Sequence, residues 1–439
     1  MGREAWSSLR NRTLRTGDRQ LIRDINMSLV VNEIRQHGPI SRVDVARATG
    51  LGRSTVSGIV GMLLKEEFMR EIGSGHPDSV SPAVGRPPVM LEFNPRSRFV
   101  VAVKLAPASI TAAVTDLDAE VVGFVERPIG AKLSEGAVRQ QISEAVYAVV
   151  SDCRVSMDRV IGVGVAVPGI VDSRTGVSIS PQFFLWQNLP LRNLLEEEFG
   201  VPVFIDNDAN AATLAEKLRG HGRQVSDFVC VTIGIGIGAG IIIDNKLYRG
   251  AVAGAGEIGH ITIQEDGPEC TCGNRGCLEA FASDAALVRE MKRMVESGRS
   301  SAVIGIAAEE NRGFDRSMIA RAAREGDDAA LSVVRQAGEH IGVGLATLVN
   351  ILNPEMIVVA GEAATDFGDL LLEPIRDSIR RRSMSVLAQR LEVVQSRLGD
   401  RIWIVGAASL VIDDFFGAPI YERHEHVAAV SIPDLMQGS

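Results

Sequence analysis

Aromatic residues are scarce in this chain of 439, where Phe, Tyr and Trp together make up 5%. Gly, Ala and Val abound instead, as in α/β proteins whose helices and strands pack closely without bulky side chains. No apolar run approaches the roughly 20 residues that a bilayer span needs, so no membrane role is expected. The opening Met1-Gly2-Arg3-Glu4-Ala5-Trp6 lacks the apolar stretch of a signal peptide, and Trp6 stands where a myristoylation signal has Ser or Thr. Cysteine is also sparse, with five in the whole chain. That is too few for a disulfide framework and fits a reducing cytoplasm. A formal net charge of −9 argues against wholesale coating of nucleic acid. What remains is a chain long and apolar enough, at 46% hydrophobic residues, for two or three domains with sizeable cores.

Three of the five cysteines fall together, in Cys270-Thr271-Cys272-Gly273-Asn274-Arg275-Gly276-Cys277-Leu278-Glu279, and His260 precedes them in Glu257-Ile258-Gly259-His260. Three thiols and an imidazole make a Cys3His set, which suits Zn2+; a site closed by four protein ligands is structural rather than catalytic. Three unrelated thiols, or a disulfide, is the alternative, and the clustering favours the metal. Ligation by His260, Cys270, Cys272 and Cys277 would also gather Glu257 and Glu279 around one small volume. Carboxylates and an imidazole so placed suit a polyhydroxylated ligand.

Charge is uneven. Residues 1–95 hold 13 Arg and Lys against 10 Asp and Glu, a balance of +3, which leaves −12 for the rest. Residues 1–25 read as an Arg-rich arm, and residues 26–95 as a DNA-reading module. Met27 to Arg35 has helical apolar spacing, Ser41 is a candidate N-cap with Asp44 three residues on, and Gly50 marks a tight turn. A third helix from about Arg53 to Glu67 turns Val56, Ile59, Val60, Leu63 and Leu64 inward. Two helices joined by a short Gly turn form a helix-turn-helix. Arg53, Ser54, Thr55 and Ser57 at the outward start of the third helix are of the type that reaches base edges and phosphates in a major groove. Phe68 to Ile72 and Val89 to Phe93 alternate like the strands of a wing. Between them, Arg86 in Gly85-Arg86-Pro87-Pro88 suits a minor groove. The partner expected from this is a double-stranded DNA operator, read by a homodimer or a dimer of dimers, since one such module spans few bases.

After Asn94-Pro95 the pattern becomes α/β. Residues 99–105 and 110–116 predict a hairpin, 136–150 a helix, and 160–167 a strand ending at Pro168-Gly169. Residues 203–208 predict a strand running into the helix 209–218, and 228–233 with 240–244 a second hairpin around Gly234-Ile235-Gly236-Ile237-Gly238. A long helical stretch from about 317 to 350 precedes a strand ending at Gly361. Asp208 at a strand-to-helix junction is a candidate helix cap, facing a crevice at the strand ends.

Residues 96–418 resemble the ROK family (repressors, open reading frames, kinases), in Asn207-Asp208-Ala209-Asn210, the glycine hairpin, Ala255-Gly256-Glu257-Ile258-Gly259-His260, the CxCGxxGCxE run at 270–279 and Ile404-Val405-Gly406-Ala407-Ala408. Residues 419–439 fall outside it as a tail. The resemblance implies a two-lobed actin-like ATPase and sugar kinase fold, preceded here by the winged helix-turn-helix of the repressor branch. It implies sugar-hydroxyl contacts at Asn207, Asp208, Glu257, His260 and Glu279, a structural Zn2+ at 260–277, and the kinase base position at Asp208.

One motif departs. Where the family's kinases carry an Asp-x-Gly-Gly-Thr phosphate turn, this chain reads Lys104-Leu105-Ala106-Pro107-Ala108-Ser109. The carboxylate has become a lysine, the glycines are gone, and Pro107 has no N–H for a phosphate. Phosphoryl transfer depends on positioned metal and donors, so no catalytic residue is expected. The combined expectation is a cytoplasmic, sugar-responsive transcriptional repressor of carbohydrate genes, with a sugar or sugar phosphate as effector. An active or bifunctional ATP-dependent sugar kinase, and a regulator controlled by a protein partner, are the alternatives. Residual nucleotide binding at the glycine hairpin stays open.

Overall fold

The computed structural model describes residues 19–74, 88–130, 133–181, 183–417 and 432. Arg86, the other wing-loop residues and most of the C-terminal tail lie outside them. The first helix, Arg19–His37, begins inside the segment that composition marks as an arm. Local interactions account for the early start: Leu21 and Asp24 are buried, and Gln20 donates to Asp24 one turn on at 2.7 Å. Ser41 caps the helix Arg42–Thr49 by accepting from the Asp44 N–H, and Gly50 ends it in the left-handed region at φ 71°. The helix Arg53–Lys65 buries Val56, Ile59, Val60 and Leu63, a 3.6-residue stripe that docks it on the other two helices. Strands Met69–Ser74 and Val89–Phe93 pair antiparallel, and Ile40–Ser41 adds a short third strand that the alternation pattern does not reveal. A winged helix-turn-helix results.

The body holds two five-stranded sheets of one plan. The first runs Val203–Asn207, Val160–Val167, Phe99–Leu105, Ser109–Asp116, Val121–Pro128; the second runs Glu392–Gln395, Met356–Ala360, Phe228–Ile233, Ile237–Ile243, Lys246–Tyr248. In each, an antiparallel meander of three strands is followed by two strands parallel to its first. Val160–Val167 and Met356–Ala360 are buried at every position, as strands with both faces covered must be. The helical stretch predicted over 317–350 is two helices, Arg316–Arg324 and Asp328–Leu352. Gly326 at φ 87° breaks the chain, and Asp327 restarts it by accepting from the Ala330 N–H.

Helix Asp208–Arg219 and the final helix Ile402–Phe416 cross with their backbones in contact, because Gly406 has no Cβ to strike Ala211. The final helix is buried along nearly its whole length. Its last turn enters the winged domain. Phe416 meets Phe93 edge-on at 5.7 Å and lies 4.1 Å beneath the Arg35 guanidinium, while Asn32 donates to the Phe416 carbonyl at 3.0 Å. Phe415 approaches Phe68 at 6.0 Å, and Arg35 also donates to the Leu117 carbonyl of the first lobe at 3.2 Å. The winged domain and the first lobe therefore share one hydrophobic core, in which Ile432 from the C-terminal segment is also buried.

Candidate functional site

A crevice between the two lobes is lined by Asn207, Asp208, Glu257, His260 and Glu279. These are the five residues singled out from their motifs, and they arrive from both lobes. Asn207 ends a strand and caps the following helix, its Oδ1 accepting from Ala209 and Asn210 and its Nδ2 donating to the Gly169 carbonyl at 2.9 Å. The cap is thus Asn207, and Asp208 is the first helical residue, with Oδ1 accepting from the Ala209 N–H at 2.9 Å. Burial raises the Asp208 carboxyl to about 6, with Glu257 and Glu362 pushing the same way and Lys104 and the Ala209 N–H opposing. Glu257 is raised as well, by burial and by Glu279 against the opposing pull of His260.

On the second lobe, Gly256 sits at φ 92° with no room for a Cβ against Ala239, which turns Glu257 into the crevice. Glu279 accepts from the Ile237 N–H at 3.1 Å and from the Thr271 hydroxyl at 3.3 Å, and so ties the glycine hairpin to the cysteine loop.

The ligand atoms of His260, Cys270, Cys272 and Cys277 lie within 4.8 Å of one another, and none of the five cysteines is in a disulfide. Cys272 and Cys277 Sγ are 3.7 Å apart, and Cys270 Sγ is 3.6 Å from His260 Nδ1. A zinc tetrahedron with Zn–S of about 2.3 Å and Zn–N of about 2.0 Å needs S···S near ~3.8 Å and S···N near ~3.5 Å. The residues fit that ion. Burial and the neighbouring thiols push Cys277 up to about 12, a cost that a divalent cation reverses. With Nδ1 turned to the sulfurs, His260 Nε2 faces Glu257 Oε2 at 3.9 Å.

Lys104 lines the same crevice. Its Nζ donates to Glu362 Oε1 at 3.1 Å across the lobes and sits 4.1 Å over the Trp403 ring. Glu362 lies so close to the glycine hairpin that a Cβ on Gly234 would fall 2.6 Å from its Oε2. Glu362 is held below its ordinary value by Lys104, by its own backbone N–H and by Arg316, all against burial. Neither Glu362 nor Trp403 was apparent in the sequence, though Glu362 directly follows a strand seen to end at Gly361. Arg249 was also missed. From the second lobe its Nε and Nη2 reach Asp206 Oδ2 at 2.8 and 2.7 Å. Asp206 is fully buried and accepts at Oδ1 from Asn207 N–H and Asn210 Nδ2, so Arg249 steadies the Asn207-Asp208 turn from the facing lobe.

Arg53, Ser54, Thr55 and Ser57 are all exposed on the third helix, and Arg53 has no partner among the described residues. Gly58 and Gly61 continue that outward face with open space around each. Arg86 lies outside the described residues.

Residues 100–414 match the ROK family model. The chain belongs to the ROK family. It is 35% identical to the xylose repressor of Caldicellulosiruptor bescii over 407 residues, 92% of this chain and 100% of that one. A ROK family transcriptional regulator homologous to the E. coli MLC protein superposes with a TM-score of 0.77 at 29% identity, covering 89% of this chain and 96% of that one. A ROK family glucokinase from Streptomyces griseus, solved with glucose and AMPPNP, superposes at 0.65 with 33% identity over 71% of this chain and 98% of that one.

Proposed function

We propose that this ROK protein is a sugar-responsive, DNA-binding transcriptional repressor that has lost phosphoryl transfer. The observation that carries the reading is the Lys104–Glu362 pair. Lys104 stands where the resemblance puts the acid of the kinases' phosphate turn, while Asn207, Asp208, Glu257, His260 and Glu279, the sugar-hydroxyl positions that the resemblance implies, line the same crevice. Glu257 and Glu279 accept hydroxyl protons and His260 Nε2 supplies the complementary nitrogen. Zinc held by His260, Cys270, Cys272 and Cys277 acts structurally, fixing the two carboxylates relative to each other. The likeness to a xylose repressor supports an aldose as effector.

On the DNA side, the helix Arg53–Lys65 enters the major groove. Arg53 reaches a base edge or phosphate, Ser54, Thr55 and Ser57 bind the backbone, and Arg86 reaches the flanking minor groove. Gly58 and Gly61 cost helix stability, and packing does not require them. On an exposed helix face they allow the close approach that a groove needs. A homodimer places two such helices on an inverted repeat with half-sites one or more helical turns apart.

The test is a labelled operator complex titrated with aldoses, beside an ADP-release assay with the same sugars and ATP. Release of DNA by a sugar, with no ADP formed, is the expected result. ADP formation overturns the loss of catalysis, and a complex indifferent to every sugar favours control by a protein partner.

A further inference from the structure

The charge inventory of the crevice narrows the effector beyond the word sugar. Among the described residues four carboxylates line it, Asp208, Glu257, Glu279 and Glu362, against a single lysine and no arginine. Phosphate and carboxylate ligands are ordinarily met by arginines, lysines or free backbone N–H groups. Here the one lysine that lines the crevice among the described residues is already engaged. Lys104 donates to Glu362 at 3.1 Å and covers Trp403, and Pro107 has no N–H to offer. The Glu362 carboxylate also presses on Gly234, the start of the glycine hairpin.

We infer that the effector is an uncharged, unphosphorylated sugar, and that Glu362 is a built-in anion closing the site to phosphate esters, sugar acids and nucleotides. The inference rests on the sugar-sensor reading and deepens it. Physically, an incoming phosphate has to displace Glu362 from Lys104 and then sit among the three remaining carboxylates. A neutral sugar needs only hydrogen bonds, which carboxylates accept well. Discrimination therefore comes from an engineered repulsion as much as from attraction.

The full-length protein is titrated calorimetrically with xylose, glucose and N-acetylglucosamine, with the phosphate ester of each, and with inorganic phosphate. The expected result is that at least one neutral sugar binds and that its ester binds at least about tenfold more weakly. Glu362→Gln keeps the shape, removes the charge and frees Lys104. It is expected to shrink that gap to within about threefold, with a melting curve like that of the wild type. A wild-type protein that prefers an ester overturns the inference. So does a folded Glu362→Gln whose preference is unchanged, because the plug is then not what excludes phosphate. If no sugar binds in either form while operator DNA is still bound, the sensor reading itself falls and this inference falls with it.

Discussion

Asp208 carries two opposed demands. Its carboxyl is raised from an ordinary 3.8 to about 6 by burial and by neighbouring acids, so the native state holds that proton more tightly than the unfolded chain. Stability contributed in this way is present at low pH and is lost as pH rises from about 4 to about 6. At neutral pH the ionised side chain is therefore a cost to folding, retained for what it does in the crevice. Asp208→Asn is expected to raise the melting temperature by about 2–4 °C at pH 7.5, with a smaller gain at pH 5, and to abolish the sugar response while leaving operator binding near wild type. Thermal melts at the two pH values and a sugar-titrated gel shift measure this; an Asp208→Asn protein that responds at the wild-type sugar concentration removes Asp208 from the sensor. In the wild type, sugar affinity is expected to fall as pH drops below about 6, because a protonated carboxyl accepts fewer hydroxyl protons.

Two short elements do most of the positioning. The cysteine loop holds Glu279, and through Glu279 the Ile237 backbone of the glycine hairpin. Removing one thiolate loosens all three at once. Cys270→Ser or Cys272→Ser is expected to lower zinc content and sugar affinity together. Metal analysis and calorimetry on the same samples check this; near-stoichiometric zinc in both mutants contradicts the ligand assignment. The helix Arg53–Lys65 is proposed to do the corresponding work on DNA. Arg53 is exposed and touches nothing else described, so Arg53→Ala is expected to leave melting unchanged and to cost about 1–3 kcal/mol of operator affinity if it reads a base. A gel shift at wild-type affinity counts against this docking.

At the scale of the molecule, the final helix joins the two activities. Trp403 in its first turn lines the crevice beneath Lys104, and Phe415 and Phe416 in its last turn are part of the winged domain's core. A helix of 15 residues spans about 22 Å as one stiff element. We propose that closure of the lobes on sugar moves its crevice end and, through the contacts of Phe416 with Asn32 and Arg35, tilts the helix Arg53–Lys65. A ligand can shift that equilibrium only by its preference for one of the two states. Phe416→Ala should loosen this joint, at about 3 kcal/mol for a buried phenyl ring, and lower operator affinity and sugar response while calorimetric sugar affinity holds. Loss of sugar affinity in that variant would show that the helix end supports the crevice rather than transmitting from it.

Much of this was legible in the chain because local chemistry wrote it. Ser41 and Asp44 mark a cap, Gly50 a turn, the 3.6-residue stripe Val56, Ile59, Val60 and Leu63 a docking helix, and the Cys270 to Cys277 spacing a cluster that could hold a metal; each depends on neighbours within a turn or two. The departure of Lys104 to Ser109 from the Asp-x-Gly-Gly-Thr pattern is equally a local reading. Tertiary structure alone decided what Lys104 meets in the crevice. Glu362 and Trp403 lie 258 and 299 positions beyond Lys104, and no local pattern links side chains that meet only when two lobes close on each other. The same holds for Arg249, which looks like a solvated loop charge until the second lobe brings it to buried Asp206. It holds for the final helix too, an apolar stretch whose two ends acquire separate tasks only because one is packed in the crevice and the other in the DNA-reading domain. Periodicity and spacing determine which elements form and which faces they bury. Which distant charges neutralise one another is decided by packing, since an ion pair is defined by distance in space and leaves no period in the sequence.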